Sequence, residues 1–105
     1  MTVDELLTQL NGLSAKLNPF ATDDATFDLR ILVLQTEKQL IVEGFSPLTD
    51  LDALAPVPVG EFQVLMAQVD ESIATENKRA QFVQTIIALA KTALRAAGVT
   101  LPAGL

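Results

Sequence analysis

The sequence predicts an all-α domain of about four helices, and three observations support this prediction. Half of the 105 residues are hydrophobic, and these are mainly aliphatic, with five Phe and neither Trp nor Tyr. Apolar residues recur at spacings of four and three over the second half of the chain. Neither Gly nor Pro interrupts residues 61–97. A chain of this length forms one domain with its own core, so residues 1–105 are predicted to fold as a unit.

The first helix is predicted to begin at a capping box, in which Thr2 and Glu5 satisfy free backbone amides of the first turn. Asn18-Pro19 is predicted to end it. A single apolar stripe runs between these points: Leu6, Leu10, Leu13 and Leu17. Gly12 leaves open an earlier end to this helix, but the leucine spacing continues past the glycine and favours one helix.

The second helix is predicted to begin at Asp23 and Asp24, which are good N-caps, and to end at Gly44. Alternating apolar residues also allow a β-hairpin over 26–43. The residues where that hairpin would turn include no Gly, Asn or Pro, so helix is favoured. Such a helix is apolar almost all round over residues 29–34, and we expect it to lie centrally or against a partner.

Two segments of irregular composition flank the second half of the chain. Residues 46–60 form a connector that contains three prolines. We expect an ordered crossover that packs its leucines on the core, with an arm that docks on another subunit as the alternative. Residues 98–105 form an apolar tail after Gly98, either frayed or tucked against the domain.

Residues 61–97 carry the longest regular pattern. Its positions step by four and three throughout: Phe62, Met66, Val69, Ile73, Glu76, Ala80, Val83, Ile87, Ala90 and Leu94. One long or kinked C-terminal helix is the favoured prediction. It would be about 55 Å long, more than the rest of the chain can cover. The alternative is a compact four-helix bundle with a hairpin break near 75–77. Glu76, the one polar residue of the series, is interpreted as an exposed residue at a break or kink, ahead of a register-setting or acid role.

The side chains of common catalytic sites are missing. His, Cys and Tyr are absent, which removes the usual general base near neutral pH, the thiolate nucleophile and the imidazole ligands of metals. Asp24 and Asp28 lie one helical turn apart, but Asp23 and Asp24 are interpreted as residues that cap the second helix and favour its positive end. Asp50 and Asp52 have calcium-loop spacing without the glycine and closing glutamate of such a loop. We therefore predict no enzyme, no cofactor and no metal site.

Net charge and hydropathy narrow the class of partner. The formal charge is −6, and residues 1–52 hold nine acidic and three basic residues. Phosphate backbones repel such a chain, so no nucleic-acid partner is predicted. No apolar run approaches the roughly 18 residues that span a bilayer, so no membrane partner is predicted. The expected location is the cytoplasm, or an assembled particle.

The remaining prediction is a non-enzymatic protein–protein assembly subunit, such as a structural or connector component of a virus or phage particle. We expect a homo-oligomer or contact with another subunit. The candidate interface consists of residues in or beside the long stripe: Phe62, Met66, Val69, Ile73, Phe82, Val83, Ile87 and Leu94. The alternative is an acidic regulatory inhibitor, antitoxin-like or mimicking nucleic acid. It would present five carboxylates to a basic partner: Asp4, Glu5, Asp23, Asp24 and Asp28.

Overall fold

A computed structural model of the chain describes residues 1–20, 24–53 and 59–101. These residues form four α-helices and no strand, which confirms the all-α prediction. The helices are α1 (Val3–Leu17), α2 (Asp24–Glu43), α3 (Val59–Glu71) and α4 (Glu76–Ala96), with a short 3-10 turn at Asn18–Phe20 after α1. Because α2 is helical throughout, the alternative of a β-hairpin over 26–43 is wrong.

The prediction of one long C-terminal helix is also wrong. The segment turns at residues 72–75 and doubles back, so that α3 and α4 pack against each other. Thr75 takes an extended conformation as the N-cap of α4, and the Arg79 guanidinium donates a hydrogen bond to the Ile73 carbonyl inside the turn. The predicted alternative, a compact four-helix bundle with a hairpin break near 75–77, is the arrangement observed, and the turn ends at Thr75. The apolar spacing runs through the turn because both helices bury their stripes in the same core.

The four helices enclose one hydrophobic core. Helix α2 packs against both α1 and α4, and α4 also packs against α3. An ion pair between Lys16 and Asp70, 2.8 Å between nitrogen and oxygen, joins α1 to α3. Each helix contributes fully buried aliphatic side chains, among them Leu10, Leu17, Leu29, Leu32, Val69, Ile86 and Leu94. The radius of gyration of 13.1 Å is that of a compact domain of this length.

Helix ends follow the predicted signals at three positions. The Glu5 amide donates to the Thr2 hydroxyl at 3.2 Å, as the capping box requires, and α1 continues through Gly12. Gly44 and Gly98 have φ values of 62° and 91° just beyond α2 and α4. Those left-handed conformations favour glycine, so each glycine ends its helix as predicted.

The first half of the connector is an ordered crossover. Backbone amides of Val3 and Asp4 donate to the carbonyls of Thr49 and Pro47, and the Leu51 side chain is buried. These bonds hold residues 47–51 against the start of α1, whereas residues 54–58 lie outside the described part of the chain.

The tail is tucked where it is described. The side chain of Val99 is buried, and the Thr100 amide donates to the Glu43 carboxylate at 3.3 Å. Residues 102–105 lie outside the described range. None of the described helices combines the length and the apolar character that crossing a bilayer requires.

Candidate contact surface on helix α2

The eight residues of the predicted interface lie in or against the core of a single chain. Five of them are buried there: Phe62, Val69, Val83, Ile87 and Leu94. The other three are partly buried and pack against that core: Met66, Ile73 and Phe82. Because α3 and α4 fold back on each other, the stripe that a single long helix would have exposed closes on the chain's own interior. The buried members of the stripe therefore belong to this chain's own core.

The largest exposed apolar side chains lie mainly on α2. Phe27 and Leu34 are each 60% exposed, Ile41 is 82% exposed and the adjacent Val42 is 70% exposed. On a helix, residues spaced by four and three share one face. That spacing defines a series we call the α2 outer stripe: Phe27, Ile31, Leu34, Lys38 and Ile41. Four of the five members are apolar, and the fifth, Lys38, is a flexible cation. Ile31 is partly buried, whereas Lys38 is exposed.

The opposite face of α2 is buried as part of the core. Leu29, Leu32, Val33 and Thr36 all point inward, and the Thr36 hydroxyl donates to the Leu32 carbonyl at 2.7 Å. This helix is therefore apolar on both faces, as the sequence of residues 29–34 indicates. Only one face is covered by the described residues of this chain.

Charged side chains along the outer stripe balance one another. Arg30 and Glu37 lie on one flank of the stripe, seven residues apart, and Asp28 lies on the other. With Lys38, these four residues have a formal charge of zero on a chain whose total is −6. The Arg30 guanidinium reaches the Asn18 side chain at 3.4 Å, a long hydrogen bond between exposed groups. The α2 outer stripe is thus an apolar surface with locally neutral edges.

A groove between α1 and α2 adjoins the stripe at Ile41. Its volume is about 360 Å³, with Leu7, Leu40 and Ile41 providing apolar lining. Asp4 and Glu37 contribute the carboxylates. Thr8 and Asn11 complete the lining, so the groove is of mixed polarity and open to solvent.

The groove also shows how α1 and α2 run. Thr8, near the start of α1, lines it with Ile41 near the end of α2. Ser14 and Arg30 line a smaller depression further along the same pair. The two helices are therefore antiparallel.

The carboxylates considered as metal ligands have other surroundings. Asp50 and Asp52 face the N-terminal ammonium of Met1 at 3.7 and 2.5 Å. The hydrogen bond to Asp52 raises the pKa of that ammonium, and the negative charges of both aspartates raise it further. Burial lowers the same pKa and offsets part of this increase. Among the described residues, no group of three or more potential ligands is placed to hold a metal ion. Asp28 is exposed on α2.

The acidic residues of the predicted inhibitor surface do not share one face. Asp4 and Glu5 lie in the first turn of α1, and Asp24 lies in the first turn of α2. Because α1 and α2 are antiparallel, these two groups are at opposite ends of the helix pair. Asp23 lies outside the described residues. Among the described residues, Asp4 and Glu5 are therefore separated from Asp24.

Glu76 is exposed at the first position of α4, directly after the turn, which matches its interpretation as a residue at a helix break. A carboxylate in a first helical turn interacts favourably with the helix dipole. Its role is therefore local to the helix terminus.

Comparison with known proteins identifies no family. The chain matches no protein-family model, and no curated protein or solved structure is significantly similar to it. The interpretation of the α2 outer stripe therefore rests on its own residues.

Proposed function

We propose that this chain is a non-enzymatic component of a protein assembly and that it meets its partner through the α2 outer stripe. The observation that carries the proposal is the exposure of Phe27, Leu34 and Ile41 at helical spacing on one face of α2. Contiguous exposed apolar patches on a small domain commonly mark interaction sites. A structural or connector role in a virus or phage particle is one setting of this kind.

The geometry of the stripe favours another helix as its counterpart. Spacing of four and three over residues 27–41 of α2 is the pattern by which helices pack side by side. A polar member inside such a seam, here Lys38, restricts register and partner choice at some cost in stability. A flat apolar patch for non-specific adsorption would need neither the spacing nor the flanking charges.

Cysteine labelling tests this proposal, because the chain has no cysteine of its own. Lys38→Cys introduces a thiol inside the stripe and keeps its four apolar members, and Ala88→Cys introduces one at an exposed site on α4. Each variant is added at low concentration to buffer and to an extract of the organism that carries the chain. The rate of maleimide labelling is then compared between the two conditions.

We expect labelling at position 38 to slow several-fold in the extract, with labelling at position 88 little changed. Circular dichroism confirms that both variants keep the helical content of the original chain. Equal labelling rates in buffer and extract at position 38 would contradict a contact role for this face.

A further inference from the structure

We infer that the partner of the α2 outer stripe is a second copy of this chain, with the two α2 helices packed antiparallel about a two-fold axis near Leu34. The inference rests on the proposed function, since it names the occupant of the same surface. Symmetric two-fold pairs are the commonest arrangement of identical chains.

The apolar residues of the stripe are arranged symmetrically about Leu34. Phe27 lies seven residues before it and Ile41 seven residues after it. A two-fold axis at Leu34 therefore brings Leu34 against its own counterpart and Phe27 of one copy beside Ile41 of the other. The groove next to Ile41 is open to solvent and has Leu7 and Leu40 among its lining residues, so the Phe27 ring of the second copy lies beside a groove that offers apolar contacts.

Charge complementarity selects the antiparallel direction. Arg30 and Glu37 share one flank, four residues before Leu34 and three after it. In an antiparallel pair the same flanks face each other, so Arg30 of each copy lies beside Glu37 of the other, and the ion pair forms twice. A parallel pair would instead place Arg30 beside Gln35 and Glu37 beside Val42, with no ion pair.

Lys38, the polar member of the stripe, also finds a counterpart in this arrangement. Asp28 lies six residues before Leu34, and Lys38 lies four residues after it on the same side of the helix. The two-fold operation brings them within two residue positions, about 3 Å along the axis. A lysine stem can lie along an apolar seam while its ammonium reaches the edge. The four charged residues at positions 28, 30, 37 and 38 are then paired, although each chain carries a net charge of −6.

The size of the surface sets the strength of the pair. A helix of 20 residues offers a strip about 30 Å long and about 10 Å wide. This is less than the roughly 800 Å² that each partner contributes to a standard interface. We therefore expect weak, concentration-dependent association of the purified chain.

Light scattering coupled to size exclusion, over a wide range of protein concentration, tests the charge pairing. The mass of the unmodified chain should rise from 11.2 kDa towards twice that value with concentration. Arg30→Glu alone and Glu37→Arg alone should each weaken association about tenfold or more, because each creates two like-charged contacts. An equimolar mixture of the two variants should restore association, since every substituted position then meets an opposite charge.

Matched charge changes on exposed residues of other helices serve as controls. Lys78→Glu and Glu71→Arg alter the net charge by the same amounts as the two stripe variants. They should leave association nearly unchanged if the contact is on α2. A mixture of Arg30→Glu and Glu37→Arg that fails to restore association would overturn the antiparallel arrangement.

Disulfide formation under mild oxidation gives a second measurement of the geometry. Leu34→Cys should form a covalent dimer, and Ala88→Cys should not. A mixture of Phe27→Cys and Ile41→Cys should form mixed disulfides faster than either variant forms them alone. Preferred pairing of Phe27→Cys with itself would indicate a parallel pair and overturn the inference.

The two proposals can fail separately. A chain that stays monomeric at every concentration and forms no disulfide at position 34 would overturn the second-copy inference. If Lys38→Cys is still protected in the extract, the contact role of the stripe survives with a different partner. If labelling there is also unprotected, the proposed function fails as well.

Discussion

The guanidinium of Arg79 donates a hydrogen bond of 2.5 Å to the backbone carbonyl of Ile73, six residues earlier in the chain. Arg79 is only 4% exposed, although arginine is rarely buried without partners. The bond spans the turn between α3 and α4 and satisfies a carbonyl that the ending helix leaves without a ladder partner. A buried cation thus stabilises a helix break that contains neither Gly nor Pro.

Replacing Arg79 with methionine should therefore destabilise the domain. Met keeps much of the apolar volume but removes the donor to Ile73, and the expected loss is about 1.5–3 kcal/mol in the free energy of unfolding. Urea denaturation followed by circular dichroism measures it. Lys78→Met, at the exposed neighbouring position, should change stability by less than about 0.5 kcal/mol. Equal effects of the two substitutions would show that the bond to Ile73 does not hold the turn.

This contact explains why the sequence predicted a longer helix than the chain forms. Local signals set the helix ends at Thr2, Gly44 and Gly98, and each of those ends lies where the sequence indicates. The break before α4 depends instead on the Arg79 side chain, which reaches back to the Ile73 carbonyl. The spacing of residues in the sequence does not show this contact. The spacing of apolar residues did not reveal the break. Two antiparallel helices that share one core can keep the same spacing of four and three across the turn between them.

The exposed apolar face of α2 could not be identified from the sequence for a different reason. Residues 27–41 are apolar on two faces of one helix, so their pattern indicates a helix with two contacts but does not say which face is inward. The packing of α2 between α1 and α4 decides this, and it does so through residues far away in the chain. The spacing of Phe27, Leu34 and Ile41 is the signal that could have identified the outer face.

Identical substitutions on α4 and α2 should separate core from surface. Ile87 is 8% exposed within the core and Ile41 is 82% exposed on the outer stripe. An aspartate at position 87 places an unpaired carboxylate among apolar side chains, which costs several kcal/mol and should unfold a domain of ordinary stability. Ile41→Asp should cost less than about 1 kcal/mol. Far-ultraviolet circular dichroism at 25 °C shows whether each variant keeps its helical spectrum. Unfolding of both variants would contradict the assignment of position 87 to the core and position 41 to the surface.

Two glycines should respond in opposite directions to alanine. Gly12 lies inside α1, and a Cβ atom added there would meet no neighbouring group within 4 Å, so Gly12→Ala should raise stability by up to about 1 kcal/mol through helix propensity. Gly98 has a φ of 91° beyond α4, where a Cβ atom is strained whatever the space around it. Gly98→Ala should lower stability by about 1–2 kcal/mol. Thermal unfolding of the two variants checks both signs, and a stabilising Gly98→Ala would show that this C-terminal turn does not need glycine.

The Glu43 carboxylate should make stability depend on acidic pH. Hydrogen bonds from the Gln39 side chain and from the Thr100 amide lower its pKa below the ordinary value of 4.5. A carboxylate with a lowered pKa in the folded state stabilises the fold above its unfolded pKa. That contribution disappears as the pH falls through the folded pKa.

Glu43→Gln should reduce this part of the pH dependence. The difference in thermal midpoint between the original chain and the variant should be largest near pH 7 and shrink towards pH 3. Glu71→Gln, at an exposed position ending α3, controls for the loss of one negative charge. A difference that stays constant across the range would contradict a role for ionised Glu43 in holding the tail to α2.

The N-terminal ammonium of Met1 should produce the opposite dependence at alkaline pH. Its hydrogen bond to Asp52, with the charges of Asp52 and Asp50, raises its pKa above 8.0. A cation whose pKa is raised by folding stabilises the fold fully below its unfolded pKa, and this stability is lost as the pH rises through the folded pKa. Asp52→Asn removes the main partner, so its thermal midpoint should fall less between pH 7 and pH 10 than that of the original chain. The two proteins differ only at position 52, so the comparison isolates the contact between the ammonium and Asp52. Equal falls in thermal midpoint would show that this ion pair does not hold the connector to α1.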